Sequence, residues 1–125
     1  MKVLIIDDEE MIRSLAQRIL HRAGHEVLLA EDGRTGLELF SSKPGDIDLV
    51  LLDLTLQGTP GMETLARIRA IVNDVPCIIS SGNPPEPGLV PAELDHHITF
   101  LQKPYRASQL TDVVNSFDRV EQQTD

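Results

Sequence analysis

The chain has 125 residues, 41% of them hydrophobic, and sets 20 acidic against 11 basic side chains for a net charge of −9. That length and apolar content suit one domain with a single core that needs neither disulfides nor a structural metal. The acidic surplus argues against nucleic-acid or anionic-membrane binding through bulk electrostatics and leaves proteins and cations as the partners to expect.

No run is long and apolar enough to span a bilayer, and Met1-Lys2 leads directly into a strand instead of a signal-peptide core, so a cytoplasmic chain without membrane insertion is expected. Val3-Leu4-Ile5-Ile6 is apolar throughout and closes on Asp7 and Asp8, as suits a parallel strand buried on both faces. Met11, Ile12, Leu15, Ala16, Ile19, Leu20 and Ala23 then recur at helical spacing, with Glu9 and Glu10 in the first turn and Gly24 as the stop. Glu26 to Ala30 reads as a second strand, and Asp32 as the N-cap of a helix that buries Leu37 and Phe40. After a polar loop from Ser41 to Asp48, Leu49-Val50-Leu51-Leu52 is a third strand closed by Asp53.

Gln57 to Gly61 is a turn in which Thr59 caps and Pro60 opens a helix carrying Met62, Leu65, Ile68 and Val72 inward. Val75 to Ser80 is the fourth strand. It holds the lone Cys77, which has no disulfide partner and reads as a buried thiol. Pro84, Pro85, Pro87 and Pro91 remove backbone donors, so any fourth helix should be short, starting near Pro91 and running through Leu94, or partly irregular. Ile98 to Gln102 is the fifth strand, and a last helix places Leu110, Val113, Val114 and Phe117 on one stripe. Residues 1–120 form the domain and 121–125 a polar tail.

Alternation of strands and helices argues for an α/β fold, a parallel sheet with helices on both faces. Five strands with right-handed crossovers suggest the doubly wound, flavodoxin-like order 2-1-3-4-5, an order taken from the known class of such sheets, in which ligands bind outside the carboxyl ends of the strands. Asp7, Asp8 and Asp53 would meet there with Ser81 and Lys103. One or two carboxylates, waters and a phosphoryl oxygen suit octahedral Mg²⁺, and this set provides them. A carboxylate could attack a phosphoryl group in line while the cation neutralises developing charge and Lys103 and Ser81 hold the phosphoryl oxygens.

Asp7-Asp8-Glu9 after strand one, Asp53 after strand three, Ser81-Gly82 after strand four and Lys103-Pro104 after strand five together resemble the receiver domain of two-component response regulators. The likeness covers roughly Lys2 to Val120. Phe100-Leu101-Gln102-Lys103-Pro104-Tyr105 with Ser81-Gly82 is most similar to receivers attached to hybrid sensor histidine kinases. The resemblance implies that Asp53 is the phosphoacceptor, served by the histidine of a sensor kinase or of a histidine phosphotransfer protein. It implies Mg²⁺ on Asp8, on Asp7 through water, on Asp53 and on the backbone carbonyl of Thr55. It makes Ser81 the switch hydroxyl, Phe100 the switch aromatic, Lys103 the phosphate-binding lysine and Lys103-Pro104 a cis bond. It also admits a stand-alone regulator or a hybrid-kinase receiver, and a weak homodimer on the strand-five face.

Three departures bear on the partner and output more than on the chemistry: Gln57 where a proline is frequent, the proline-rich segment, and Arg106 where a Ser or Thr often caps the last helix. Plainer roles stand beside the sharp ones. Asp7 and Asp8 suit a turn and an N-cap, Lys103 a solvated loop, Ser81 a turn with Gly82, and Phe100 a core strand. His96-His97 reads as solvated, His21 and His25 as surface residues, and Gly33-Arg34-Thr35-Gly36 lacks dinucleotide or P-loop spacing. A haloacid-dehalogenase-like phosphohydrolase would want Asp-x-Asp where this chain has Asp53-Leu54-Thr55, and a pseudo-receiver would not keep the complete acidic set. No effector domain follows Val120, so a direct transcriptional role is not expected of these residues.

Overall fold

A computed structural model describes residues 1–56 and 60–123. The elements in chain order are β1 (Lys2–Ile6), α1 (Glu10–Arg22), β2 (Glu26–Ala30), α2 (Gly33–Ser42), β3 (Leu49–Asp53), α3 (Gly61–Ile71), β4 (Cys77–Ser81), β5 (Ile98–Gln102) and α4 (Ala107–Gln123). All four strand pairs are parallel, in the order β2-β1-β3-β4-β5. The doubly wound α/β fold expected from the sequence is therefore the fold observed.

Period-two alternation inside apolar runs divides the core between two faces. Leu4, Ile6, Val50, Leu52, Cys77 and Ile79 pack on one side with Phe40 of α2 and Leu65 and Ile68 of α3. Val3, Ile5, Leu49, Leu51, Ile78 and Leu101 pack on the other with Ala16 and Leu20 of α1 and Leu110 and Val114 of α4. A single sheet thus serves two apolar layers, and every residue of β3 is buried.

Local chemistry sets the helix ends. Asp32 caps α2 by accepting from the Thr35 N–H at 2.8 Å, and Gly24 closes α1 at φ +93°, a conformation that costs a glycine nothing. Arg106 offers no cap hydroxyl to α4, but its N–H donates to Gln109 Oε1 at 2.7 Å, which is half of a capping box.

Between β4 and β5 the described chain has only isolated turns, such as Leu94 N–H to Pro91 O at 2.9 Å, and no helix, the irregular one of the two alternatives expected there. The prolines prevent more. Several expectations are corrected. β4 starts at Cys77 and not at Val75, because the ladder begins only where Cys77 N–H reaches His97 O. Pro60 occupies the N-cap of α3 itself, and the capping role assigned to Thr59, like the altered loop at Gln57, lies outside the described residues. α4 continues to Gln123, so the first residues of the polar tail are helical. Met11 and Leu15 are exposed although they fit the apolar spacing of α1. His25 is buried, with Nδ1 3.1 Å from the Met1 nitrogen and Nε2 3.1 Å from Asn115 Oδ1, a long-range pairing invisible in local sequence. His96 is half-buried and its Nε2 pairs with Asn73 O at 2.8 Å, whereas His97 is exposed and takes a left-handed φ of 54°.

Candidate functional site

The parallel ladders continue one residue past the strands and align their carboxyl ends. Asp7 N–H donates to Ala30 O at 3.1 Å, Leu54 N–H to Ser80 O at 2.9 Å, and Lys103 N–H to Ser81 O at 2.7 Å. Asp7 and Asp53 thereby end the adjacent strands β1 and β3, whose connections leave toward opposite faces, and a groove opens at that switch point. Asp8, Glu9, Ile12, Asp53, Thr55 and Lys103 are among its walls.

Asp7 and Asp53 are each only 3% exposed. Lys103 reaches across from β5, its Nζ 2.8 Å from Asp7 Oδ2 and 3.3 Å from Asp53 Oδ2. Two buried carboxylates around one ammonium satisfy the rule that buried charge must be paired. The remaining lone pairs are served locally: Glu9 N–H donates to Asp7 Oδ1 at 2.9 Å and Thr55 N–H to Asp53 Oδ1 at 3.1 Å. Arg13 Nη1 donates to the Asp7 carbonyl at 2.8 Å and so anchors the turn between β1 and α1.

Burial raises the Asp53 carboxyl above the usual carboxylate range, against the pull of the Thr55 N–H and Lys103, with the Asp7 charge adding to the rise. Burial works against the Lys103 ammonium, but Asp7 and Asp53 together hold it firmly protonated, above the usual lysine value. Tyr105, just beyond, is pushed up to about 12 by burial and then by the Asp7 charge.

Asp7, Asp8, Glu9 and Asp53 each bring an oxygen into a group in which all such atoms lie within 4.8 Å of one another. An all-oxygen, multiply anionic set of that size fits a hard divalent cation such as Mg²⁺. Of the residues singled out from sequence, Asp7, Asp8, Asp53, Thr55 and Lys103 are brought to this groove. Ser81 is not among its lining residues; its Oγ accepts from Asn83 N–H at 3.2 Å and lines an adjoining cavity of about 240 Å³. Phe100 lies at that same cavity with 36% of its surface exposed. The Lys103-Pro104 bond is cis, as the resemblance implies.

From sequence, Glu9 reads only as a first-turn acid of α1 beside Asp7-Asp8, Gly61 only as part of a turn, and Arg13 has no role at the site. Glu9 was visible in the Asp7-Asp8-Glu9 run, whereas Arg13 has no local signal because its partner is a backbone carbonyl. Gly61 is the start of α3, where a Cβ would come within 2.7 Å of Leu54 O and 2.9 Å of Asp53 O, so only glycine lets α3 begin against the backbone that carries Asp53.

The sequence pattern of the response regulator receiver domain matches residues 3–115. YrkP of Bacillus subtilis (strain 168), an uncharacterized transcriptional regulatory protein, is 40% identical over 72 residues, 58% of this chain and 30% of that protein. The sensory/regulatory protein RpfC of Xanthomonas campestris pv. campestris (strain 8004) is 29% identical over 118 residues, 91% of this chain and 16% of that protein. The chain spans less than half the length of these curated relatives. The solved receiver domain of the hybrid histidine kinase CckA superposes with a TM-score of 0.81 at 30% identity, over 94% of this chain and 98% of that one.

Proposed function

The chain belongs to the response regulator receiver domain family of two-component systems, and from that premise we propose that Asp53 is its phosphoacceptor, charged by the phosphohistidine of a sensor kinase or of a histidine phosphotransfer protein. The observation that carries this reading is a nearly inaccessible carboxylate, Asp53, held 3.3 Å from the ammonium of Lys103 at the open end of the sheet. Asp53 Oδ2 forms the bond to phosphorus as the bond from phosphorus to the imidazole nitrogen breaks, and the imidazole leaves with the electron pair. Asp7, Asp8, Asp53 and the carbonyl of Thr55 would hold Mg²⁺, which when bound neutralises charge on the transferring phosphoryl oxygens. Lys103 exchanges its carboxylate partners for those oxygens.

Ser81 and Phe100 support the signalling step. Ser81 gives up the Asn83 N–H and turns its hydroxyl to the phosphoryl group, and Phe100 moves into the adjoining cavity of about 240 Å³, changing the strand-five surface. A self-catalysed phosphoryl transfer and dephosphorylation, without turnover of phosphate esters, is the activity expected. Among the described residues no helix is long and apolar enough to cross a membrane, in keeping with a cytoplasmic site of action. The chain would serve as a stand-alone regulator or as the receiver of a hybrid kinase.

Intact mass after incubation with acetyl phosphate tests the reading. One added phosphoryl group that requires Mg²⁺ and is lost in Asp53→Asn is expected. Equal labelling of wild type and Asp53→Asn would move the acceptor elsewhere, and no labelling together with no Mg²⁺ binding would leave a binding module without phosphorylation.

A further inference from the structure

Glu9 stands apart from the three acids assigned to the cation. It is the N-cap residue of α1, a place where Ser, Thr, Asp or Asn would accept from the first turn, yet its side chain makes no cap hydrogen bond. Its own N–H is engaged by Asp7 Oδ1 at 2.9 Å, which leaves the carboxylate to point elsewhere. It points at the groove: Oε1 lies 3.4 Å from Lys103 Nζ and belongs to the set of acidic oxygens within 4.8 Å of one another. The side chains of Asp7 and Asp53 are 4% exposed while that of Glu9 is 62% exposed, so Glu9 stands on the solvent side of the buried acids.

Lys103 is therefore drawn in two directions, inward by Asp7 and Asp53 and outward by Glu9. Phosphorylation changes only the inward pull. Once Asp53 carries the phosphoryl group as an acyl phosphate its carboxylate charge is gone and the negative charge sits on the phosphoryl oxygens, for which Lys103 must leave its former partners. Glu9 keeps its charge throughout. Resting on the reading of Asp53 as phosphoacceptor, we infer that Glu9 is a positioning residue for Lys103 at the groove mouth, strengthening cation binding while it opposes the entry and retention of the phosphoryl group.

Because Glu9 is solvent-exposed its field is screened, and a severalfold effect that shrinks with salt is the scale to expect. The test is Glu9→Gln, which removes the charge but keeps the side-chain length and the backbone donor to Asp7. Glu10→Gln serves as the neighbouring control, since Glu10 makes no ion pair among the described residues. Mg²⁺ binding is measured by calorimetry without any phosphodonor. The rate of labelling by acetyl phosphate is then measured at saturating Mg²⁺, where Asp53 bonds to phosphorus and acetate leaves with the electron pair.

Glu9→Gln should bind Mg²⁺ about threefold to tenfold more weakly at low salt and accept the phosphoryl group faster by a similar factor, both differences contracting in about 0.5 M salt. Glu10→Gln should match wild type. Unchanged Mg²⁺ affinity and labelling rate in Glu9→Gln overturn the inference, as do equal shifts in Glu9→Gln and Glu10→Gln, which would reduce the effect to net charge. A wild-type chain that binds Mg²⁺ but takes no phosphoryl group from acetyl phosphate or from a phosphohistidine donor would refute Asp53 as acceptor, and the calorimetric arm would still decide the part played by Glu9.

Discussion

The two ends of β4 and β5 are held in opposite ways. At the carboxyl end, Lys103 crosses from β5 to two buried acids, which share its one ammonium. At the amino end, the segment between the strands has no helix to bury an apolar stripe, and a buried cation that makes no ion pair among the described residues takes over. Arg69 of α3 is 3% exposed and donates through Nη2 to His96 O at 2.7 Å and to His97 O at 3.3 Å, and through Nη1 to Leu94 O at 3.3 Å, while its Nε has no partner. His97, in its left-handed conformation, also gives its carbonyl to Cys77 N–H at 2.9 Å. Burial pulls the Arg69 guanidinium below the usual arginine value, though it stays charged at any physiological pH. The contrast shows that charge pairing builds the site, whereas a multidentate donor holds carbonyls of a segment that forms no helix.

Breaking the paired end should have the larger effect. Lys103→Met leaves Asp7 and Asp53 buried without a cation, and the metal-free protein should lose roughly 3–5 kcal/mol, the usual cost of breaking a buried pair. Denaturant titration with and without Mg²⁺ checks this: millimolar Mg²⁺ should recover part of the loss, because a ligand that binds only the folded state stabilises it. Labelling by acetyl phosphate should fall with it.

Breaking the other end should cost less and act locally. Arg69→Met strips donors from three carbonyls and should destabilise by about 1–3 kcal/mol. Amide exchange should speed up from Leu89 to His97 while Asp53 still accepts a phosphoryl group. Uniformly faster exchange across the sheet would show instead that the segment and the core unfold as one unit.

The smallest effect separates the charge of Asp53 from its burial. Its folded-state value is raised, so the folded state binds the proton more tightly than the unfolded chain. That contribution is complete at pH below the unfolded value and is lost as pH rises through the folded one, which makes ionised Asp53 a net cost at neutral pH. Asp53→Asn should therefore melt a few degrees higher than wild type near pH 7 without Mg²⁺, with the gain vanishing below about pH 4, where Asp53 is protonated in both states. A gain that persists at low pH would assign the effect to packing.

Much of this was legible before folding. Apolar runs of four that end in Asp7 and Asp53 specify strands buried on both faces and put acids at one edge, because a parallel sheet with crossover helices aligns all its strands. The prolines from Pro84 to Pro91 announced the missing helix, since each lacks a donor. Illegible were the pairings made across the chain: His25 with Asn115, Arg69 with the carbonyls of residues 94 to 97, and Arg13 with the Asp7 carbonyl. Met11 misled for a related reason, because helical spacing specifies a stripe and does not say how far along the stripe the core extends.

The sequence by itself determined the elements, the family and the identity of the acids, because periodicity, turn chemistry and strand-end residues are local properties of the chain. Only the tertiary structure decided how those acids share one ammonium, that Ser81 faces Asn83 and a cavity beside Phe100, and that Glu9 reaches Lys103 instead of capping α1. Those outcomes depend on distances between residues far apart in the chain, such as Asp7 and Lys103, and on how deeply each is buried, and packing alone sets both.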